Sequence, residues 1–304
     1  MSATAERPTG TSVTATPTAT ATRPARGVRV KRSTTRRLHT AFVVVAGLLW
    51  ITPVIWMFSL SLTPNAVLQT TTTSLIPIEP TLANFVDVFR VGLTPRWFWN
   101  SMVVTGITTA ATLLLSAMCG YAFARIPFKG KRIAFPIVLA GLMVPKEAMF
   151  IPLFLMFAEW EMHNTYQALA LPRIAAPLGV FIMTQFFLAI PDELEEAASV
   201  DGANRWTIFW RVMLPLSRPA MTALAIFTFV LTWNDYLWPL VSATQREMFT
   251  ITTGLASLQG NFAQATELGS LMARGVLASL PLLVLFVLFQ KQLIRGISLG
   301  SGGK

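Results

Sequence analysis

Six apolar segments, at roughly 41–62, 98–124, 133–158, 168–190, 219–241 and 271–290, constrain the fold more than any other feature of the chain. Each matches the ~20 residues that a helix needs to cross a hydrocarbon core. In lipid every backbone N–H and C=O must be paired, which only helices and closed barrels achieve, and these runs are continuous rather than alternating in ~10-residue strands. The chain is 53% hydrophobic and 12% charged, about half the charge of a soluble domain, so a soluble globular enzyme is excluded. The reading is an all-α membrane protein with six transmembrane helices, set in the lipid bilayer of the cell (plasma) membrane.

An even number of spans puts both termini on one face, and the basic residues choose it. Seventeen of them flank the spans on the side of the two termini, among them Arg29, Lys31, Arg32, Arg36, Arg37, Arg125, Lys129, Lys131 and Arg132; Arg90, Arg96, Arg246 and Arg274 lie on the other. By the positive-inside rule the N- and C-termini are cytoplasmic. The net charge of +10 therefore reads as a topology signal and not as a nucleic-acid surface. Cys119 is alone, so no intrachain disulfide or cysteine zinc cluster forms. The first apolar run follows a long basic tail, unlike a cleaved signal peptide.

Four regions follow. Residues 1–37, rich in Thr, Ala, Pro and Arg, read as a disordered basic cytoplasmic tail, with a topology role or an anionic-lipid contact both open. Residues 38–97 hold the first span and an outer loop, 98–290 the remaining spans, and 291–304 a cytoplasmic C-terminal tail. Within span 2, Ser116, Gly120 and Ala124 recur every four residues, a small-residue face for close helix approach. Pro53, Pro136, Pro145, Pro152, Pro177, Pro239 and Pro281 interrupt the apolar runs and predict kinks.

The longest internal cytoplasmic connection reads IPDELEEAASVDGANRWTIFWRVMLPLSRPA, residues 190–220. Asp192 after Pro191 can cap a helix whose first turns carry Glu193, Glu195 and Glu196, where negative charge opposes the helix dipole. Gly202 supplies a bend, and a second amphipathic helix offers Trp206, Phe209 and Trp210 for burial before Leu214 and Pro215 stop it. The product is a surface helix-turn-helix presenting a small-residue knob.

The pattern Glu196-Ala197-Ala198, three residues including Asp201, Gly202, nine residues, Val212-x-Leu214-Pro215 resembles the EAA loop of permease subunits of binding-protein-dependent ABC importers, with Val212 where that family usually has Ile. The resemblance implies a type I ABC importer permease fold whose loop at 190–216 contains the coupling helix that docks on an ATPase subunit. It implies as partners a second permease subunit in a heterodimer, two ATPase subunits and an extracytoplasmic solute-binding protein. Alternating access would follow closure of the ATPases. No GxxxxGK[ST] loop occurs, so this chain binds no cofactor itself; ATP and Mg sit on the partner ATPase subunits.

The stretches 100–125, 127–132 (PFKGKR), 232–240 (TWNDYLWPL) and 271–297 resemble carbohydrate-uptake permeases related to the smaller maltose-transporter subunit. This implies import of a sugar or oligosaccharide, with a polyol phosphate such as glycerol phosphate as the alternative. The ending ISLGSGGK departs from relatives whose Ala/Lys/Gly-rich end can touch the ATPase dimer.

Polar groups inside apolar spans are costly unless they face a cavity or a partner. Trp233, Asn234, Asp235, Tyr236 and Trp238 pair aromatic faces with amide and carboxylate acceptors, suited to the path of a sugar; an interfacial aromatic belt is the alternative. Lys146 and Glu147 read either as pore-lining or as ion-paired to another helix or subunit. In the 242–270 outer loop, Gly260, Asn261, Phe262 and Gln264 correspond to a region that in maltose-type relatives reaches into the binding protein; a plain exposed loop has the same composition. Asn84, Asp87 and Arg90 read as solvated surface. A membrane-embedded enzyme would need a concentrated polar site, yet His39 and His163 are far apart and no HExxH is present.

Overall fold

A computed structural model of the chain describes residues 32–70, 75–90, 92–259 and 267–301. Among the described residues all regular structure is helical. The chain divides into two units, residues 1–51 and 52–304. Helix α1 (Arg32–Ser61) crosses that division. In the first unit it exposes Phe42, Leu49 and Trp50. The predicted tail was drawn through residue 37, but the helix begins at Arg32; residues 32–36 extend a helix already propagating from the apolar run.

In the second unit, α2 (Asn65–Thr70) and α3 (Ala83–Arg90) precede α4 (Thr94–Arg125), a single helix of 32 residues. α5 (Lys131–Ala140) and α6 (Phe150–Glu159) follow, then α7 (Tyr166–Ile174) and α8 (Pro177–Leu188). α9 (Glu193–Val200) turns into α10 (Arg205–Ile208), a π-helical stretch (Phe209–Met213) and α11 (Leu214–Leu216). The chain then runs through α12 (Arg218–Trp233), α13 (Leu237–Ser242), α14 (Ile251–Gln259) and α15 (Leu268–Ser301). α15 continues well past residue 290, where the C-terminal tail is expected to begin, and no proline follows Pro281 to interrupt it.

Among the described residues three helices are long and apolar enough to cross a membrane unbroken: Arg37–Ser61, Thr94–Arg125 and Leu268–Gln290. Two helix pairs meet the same criterion only when each is taken together, Tyr166–Ile174 with Pro177–Leu188, bent by 47°, and Arg205–Leu216 with Arg218–Trp233, bent by 74°. The first bend has a local cause: Pro177 disfavours helical backbone at the residue before it, and Ala176 sits extended at φ −113°, ψ 94°. The break strands the carbonyl of Ile174, which accepts a bond of 3.2 Å from the Thr112 hydroxyl of α4. The predicted segment 133–158 is interrupted as well, since α5 ends at Ala140 and a 3-10 turn, Lys146–Met149, follows Pro145.

The crossing of α4 on α8 organises the core. A Cβ added at Gly120 would lie 2.6 Å from the Met183 Cβ and 2.9 Å from the Thr184 nitrogen; at Gly179 it would lie 2.3 Å from the Ser116 Oγ. The two backbones therefore touch through the Ser116–Gly120 face read from the sequence, with Gly179 as its counterpart on α8. At this crossing Ala117, Tyr121, Met183, Phe187, Phe209, Met213 and Leu224 form a buried cluster, which packs the end of α4 under the 190–216 loop. Ser101, Thr105, Thr108, Thr112 and Ser116 carry a buried polar stripe along α4.

Candidate functional site

The 190–216 loop is built around one turn. Gly202 adopts φ +81°, the left-handed region that side chains rarely occupy. Its N–H donates to the Ser199 carbonyl (3.0 Å), and the next N–H, of Ala203, donates to the Ala198 carbonyl (3.0 Å). This is the Schellman ending of a helix, in which glycine one place past the cap lets the chain reverse. The Ala198-x3-Gly202 spacing is thus the spacing of a helix stop. Asn204 starts the return helix, its Oδ1 accepting from the Thr207 N–H at 2.8 Å.

α9 turns Glu195 and Ala198 inward, three residues apart, and leaves Glu193, Leu194, Glu196, Ala197, Ser199 and Val200 exposed, Val200 to 88%. Asp201 and Gly202 extend that exposed face, while Leu214 and Pro215 are half-buried where the loop re-enters the bundle. Two local expectations need correction. The Asp192 side chain makes no cap bond to α9; its carboxylate instead pairs with Arg125. Of the three aromatics offered for burial only Phe209 is buried, whereas Trp206 and Trp210 remain 58% and 40% exposed, edge to face with one another.

Arg125, read from the sequence only as a topology charge, ties α4 to this loop. Its guanidinium donates to the carbonyls of Phe187 (2.7 Å) and Ile190. It pairs with Asp192 and lies 3.8 Å from Glu195. The Tyr121 hydroxyl donates to Glu195 at 2.8 Å. The carbonyls belong to the end of α8 and the turn after it, where helix polarity favours a cation. No sequence pattern near residue 190 announces this partner.

The proposed path residues separate into two groups. Trp233 is 2% exposed, donates to the Ala278 carbonyl (3.0 Å) and stacks on Phe229; Trp238 is 2% exposed, donates to the Ala168 carbonyl (2.8 Å) and packs on Phe150 and Phe157. Both are internal anchors in this chain, which corrects the reading of them as a wall. Each indole is buried with its N–H on a backbone carbonyl, and that of Ala168 is left free by Pro172 four residues on. Asn234 and Tyr236 are exposed in the turn between α12 and α13, and Asp235 between them pairs with Arg173 at the end of α7. Lys146 and Glu147 are both exposed in the 3-10 turn, and no ion pair joins either to another described residue. Gly260, Asn261, Phe262 and Gln264 lie outside the described residues. Asn84, expected at a solvated surface, is buried, donating to the Ser61 (2.9 Å) and Thr63 (2.8 Å) carbonyls at the end of α1.

Far from the 190–216 loop, the Thr94 end of α4 grips another segment. The Trp97 indole donates to the Arg246 carbonyl (2.7 Å), and the Asn100 amide to the carbonyls of Glu247 (2.7 Å) and Phe249 (2.9 Å). The Tyr166 hydroxyl donates to the Asn100 Oδ1 at 2.7 Å, and the Ile251 N–H to the Ser101 Oγ at 2.8 Å. Asn164 binds the adjoining residues, its Oδ1 accepting from the N–H groups of Thr244 (2.7 Å) and Gln245 (2.8 Å).

Residues 112–299 match the family described as binding-protein-dependent transport system inner membrane component. The chain belongs to that family: it is a multi-pass membrane permease, a transport subunit and not an enzyme. It is 36% identical over 266 residues to the arabinooligosaccharides transport system permease of Bacillus subtilis (strain 168), covering 86% of this chain and 94% of that one. It is 36% identical over 258 residues to the lactose transport system permease of Rhizobium radiobacter, covering 84% and 92%. The trehalose/maltose permease of Thermococcus litoralis is 32% identical over 263 residues, covering 85% and 93%. A chain of a bacterial ABC transporter for import of the acidic polysaccharide alginate has the same fold, with a TM-score of 0.76 at 20% identity over 84% of this chain and 95% of that chain.

Proposed function

We propose that this chain is a permease subunit of an ATP-driven importer that takes up a neutral sugar or oligosaccharide delivered by an extracytoplasmic binding protein. It spans the membrane six times with both termini cytoplasmic, the interrupted segment α5–α6 counting as one crossing. It pairs with a second permease subunit and two ATPase subunits, which hold ATP and Mg. The single observation that carries the reading is the α9–Gly202 knob: a short acidic helix closed by a Schellman turn, exposing Glu196, Ala197 and Val200 beyond the bundle. Leu194, Ala197 and Val200 make this exposed face apolar beside small residues, a surface that suits a partner's cleft.

The relatives named for arabinooligosaccharide, lactose and trehalose/maltose transport support a carbohydrate cargo. Charge supports a neutral one. Arg173 is matched by Asp235, and Lys146, exposed and outside any ion pair among the described residues, is offset in charge by the adjacent Glu147 of the same turn, whereas a phosphate cargo calls for a surplus of positive charge. Asn234 and Tyr236 offer amide, hydroxyl and aromatic surface to a sugar. Alternating access follows from rigid-body motion of the bundle when the ATPases close on α9.

The test is co-expression with the neighbouring genes, purification in lipid nanodiscs, and measurement of ATP hydrolysis with binding protein loaded with each candidate solute. Stimulation by a neutral sugar, abolished by Glu196→Lys, supports the reading. Stimulation by a polyol phosphate alone overturns the cargo, and hydrolysis indifferent to Glu196→Lys overturns the docking role.

A further inference from the structure

We propose that α4 is a transmission strut which couples the binding-protein face of the permease to its ATPase face, with Asn100 and Arg125 as the positioning residues at its two ends. The proposal rests on the importer reading for the assignment of those faces, and adds a route between them.

α4 suits this task by its continuity. It is one helix of 32 residues, about 48 Å long at 1.5 Å per residue. The segments packed beside it, α7–α8 and Arg205–Trp233, are instead bent by 47° and 74°. α4 carries its own proline only at its first turn, where no helical bond is lost. The close Gly120–Met183 and Gly179–Ser116 approaches hold it backbone to backbone against α8.

Both ends are held by directional polar bonds to backbone and charge. At the outer end Asn100 uses its whole amide, two donations to the 247 and 249 carbonyls and one acceptance from Tyr166, and Trp97 adds the 246 carbonyl. At the inner end Arg125 spans the Phe187 and Ile190 carbonyls and the Asp192 carboxylate, while Tyr121 holds Glu195 on α9. Bonds of this kind fix register as well as proximity. A shift of residues 246–251 on docking of the binding protein moves Asn100, and α4 delivers that shift to Asp192 and Glu195 beneath the exposed coupling face. The two ends thereby share one free energy across 25 residues of helix, about 38 Å.

A double-mutant cycle tests this in the assembled transporter in nanodiscs, read as the fold-stimulation of ATP hydrolysis by loaded binding protein. Asn100→Ala and Arg125→Ala each should cut stimulation about tenfold, with the ATPase subunits still co-purifying, and the double variant should be no worse than either single one. Arg125→Lys, which keeps the charge but cannot fork onto two carbonyls, should recover part of the loss. Losses that multiply in the double variant, or full stimulation in Arg125→Ala, overturn the strut. If either alanine variant fails to assemble, Trp97→Phe and Tyr121→Phe form the deciding cycle, read the same way. A wild-type complex that no loaded binding protein stimulates overturns the importer reading itself; a stimulated wild type with multiplicative variants overturns only the strut.

Discussion

Arg173, at the end of α7, and Asp235, in the turn after α12, form a direct ion pair whose side chains are 21% and 9% exposed. The pair joins the end of α7, at its break before α8, to the turn that follows α12. Beside it, the Thr252 hydroxyl donates to the Asp235 carbonyl at 2.7 Å, tying α14 to the same turn. The carboxylate is therefore a structural partner before it is a cargo ligand.

Removing one member leaves the other charge buried, a loss of about 3–5 kcal/mol for fully enclosed pairs and somewhat less here because Arg173 keeps some solvent access. Asp235→Ala and Arg173→Ala should each lower the thermal unfolding midpoint of the nanodisc-embedded chain, and the double change to Leu and Met should restore most of it. Transport lost in Asp235→Ala with an unchanged midpoint would return Asp235 to the role of a cargo ligand.

The α4–α8 crossing separates two glycines by what each would strike. Gly179→Ala meets the Ser116 side chain, Oγ at 2.3 Å and Cβ at 3.1 Å, so Ser116→Gly should rescue it. Gly120→Ala meets the Thr184 backbone nitrogen at 2.9 Å as well as the Met183 Cβ, and no side-chain trimming removes backbone. Each single change should cost about 1–3 kcal/mol by overpacking, measured as melting in nanodiscs; equal rescue of both by trimmed partners would contradict the geometry.

How much of this was legible in the sequence follows the range of each interaction. The Ala198-to-Gly202 stop, the Ser116–Gly120 face and the break at Pro177 are local, set by φ, Cβ size or a missing N–H within a few residues. Arg173 with Asp235 and Arg125 with Asp192 join residues distant in the chain, and a charged side chain reads alike whether it faces water, cargo or a partner. Trp233 and Trp238 misled for a related reason: an indole beside polar residues has the composition of a sugar-binding wall and of a buried hydrogen-bonded anchor. Proline and glycine divide an apolar segment without shortening it, so the run 133–158 reads as one continuous span although α5 and α6 are separate helices.

The turn at Gly202 allows a graded test of the coupling loop. Open space surrounds the position where a Cβ would sit, so a substitution meets no clash and is penalised by φ +81° alone. Left-handed backbone costs an ordinary L residue about 1–2 kcal/mol, less for asparagine and more for a β-branched residue. The penalty falls on the Schellman bonds of Ala198 and Ser199 and tilts the exposed Glu196–Val200 face. Co-purification of the ATPase subunits should therefore decline in the order Gly, Asn, Ala, Val at residue 202, with membrane insertion constant. Val200→Asp should match the valine variant at residue 202 by a different route, placing charge on the docking face without altering the turn. Undiminished co-purification in both variants would show that the partner docks elsewhere; loss with Val200→Asp alone would show that the docking face matters and that the turn tolerates strain.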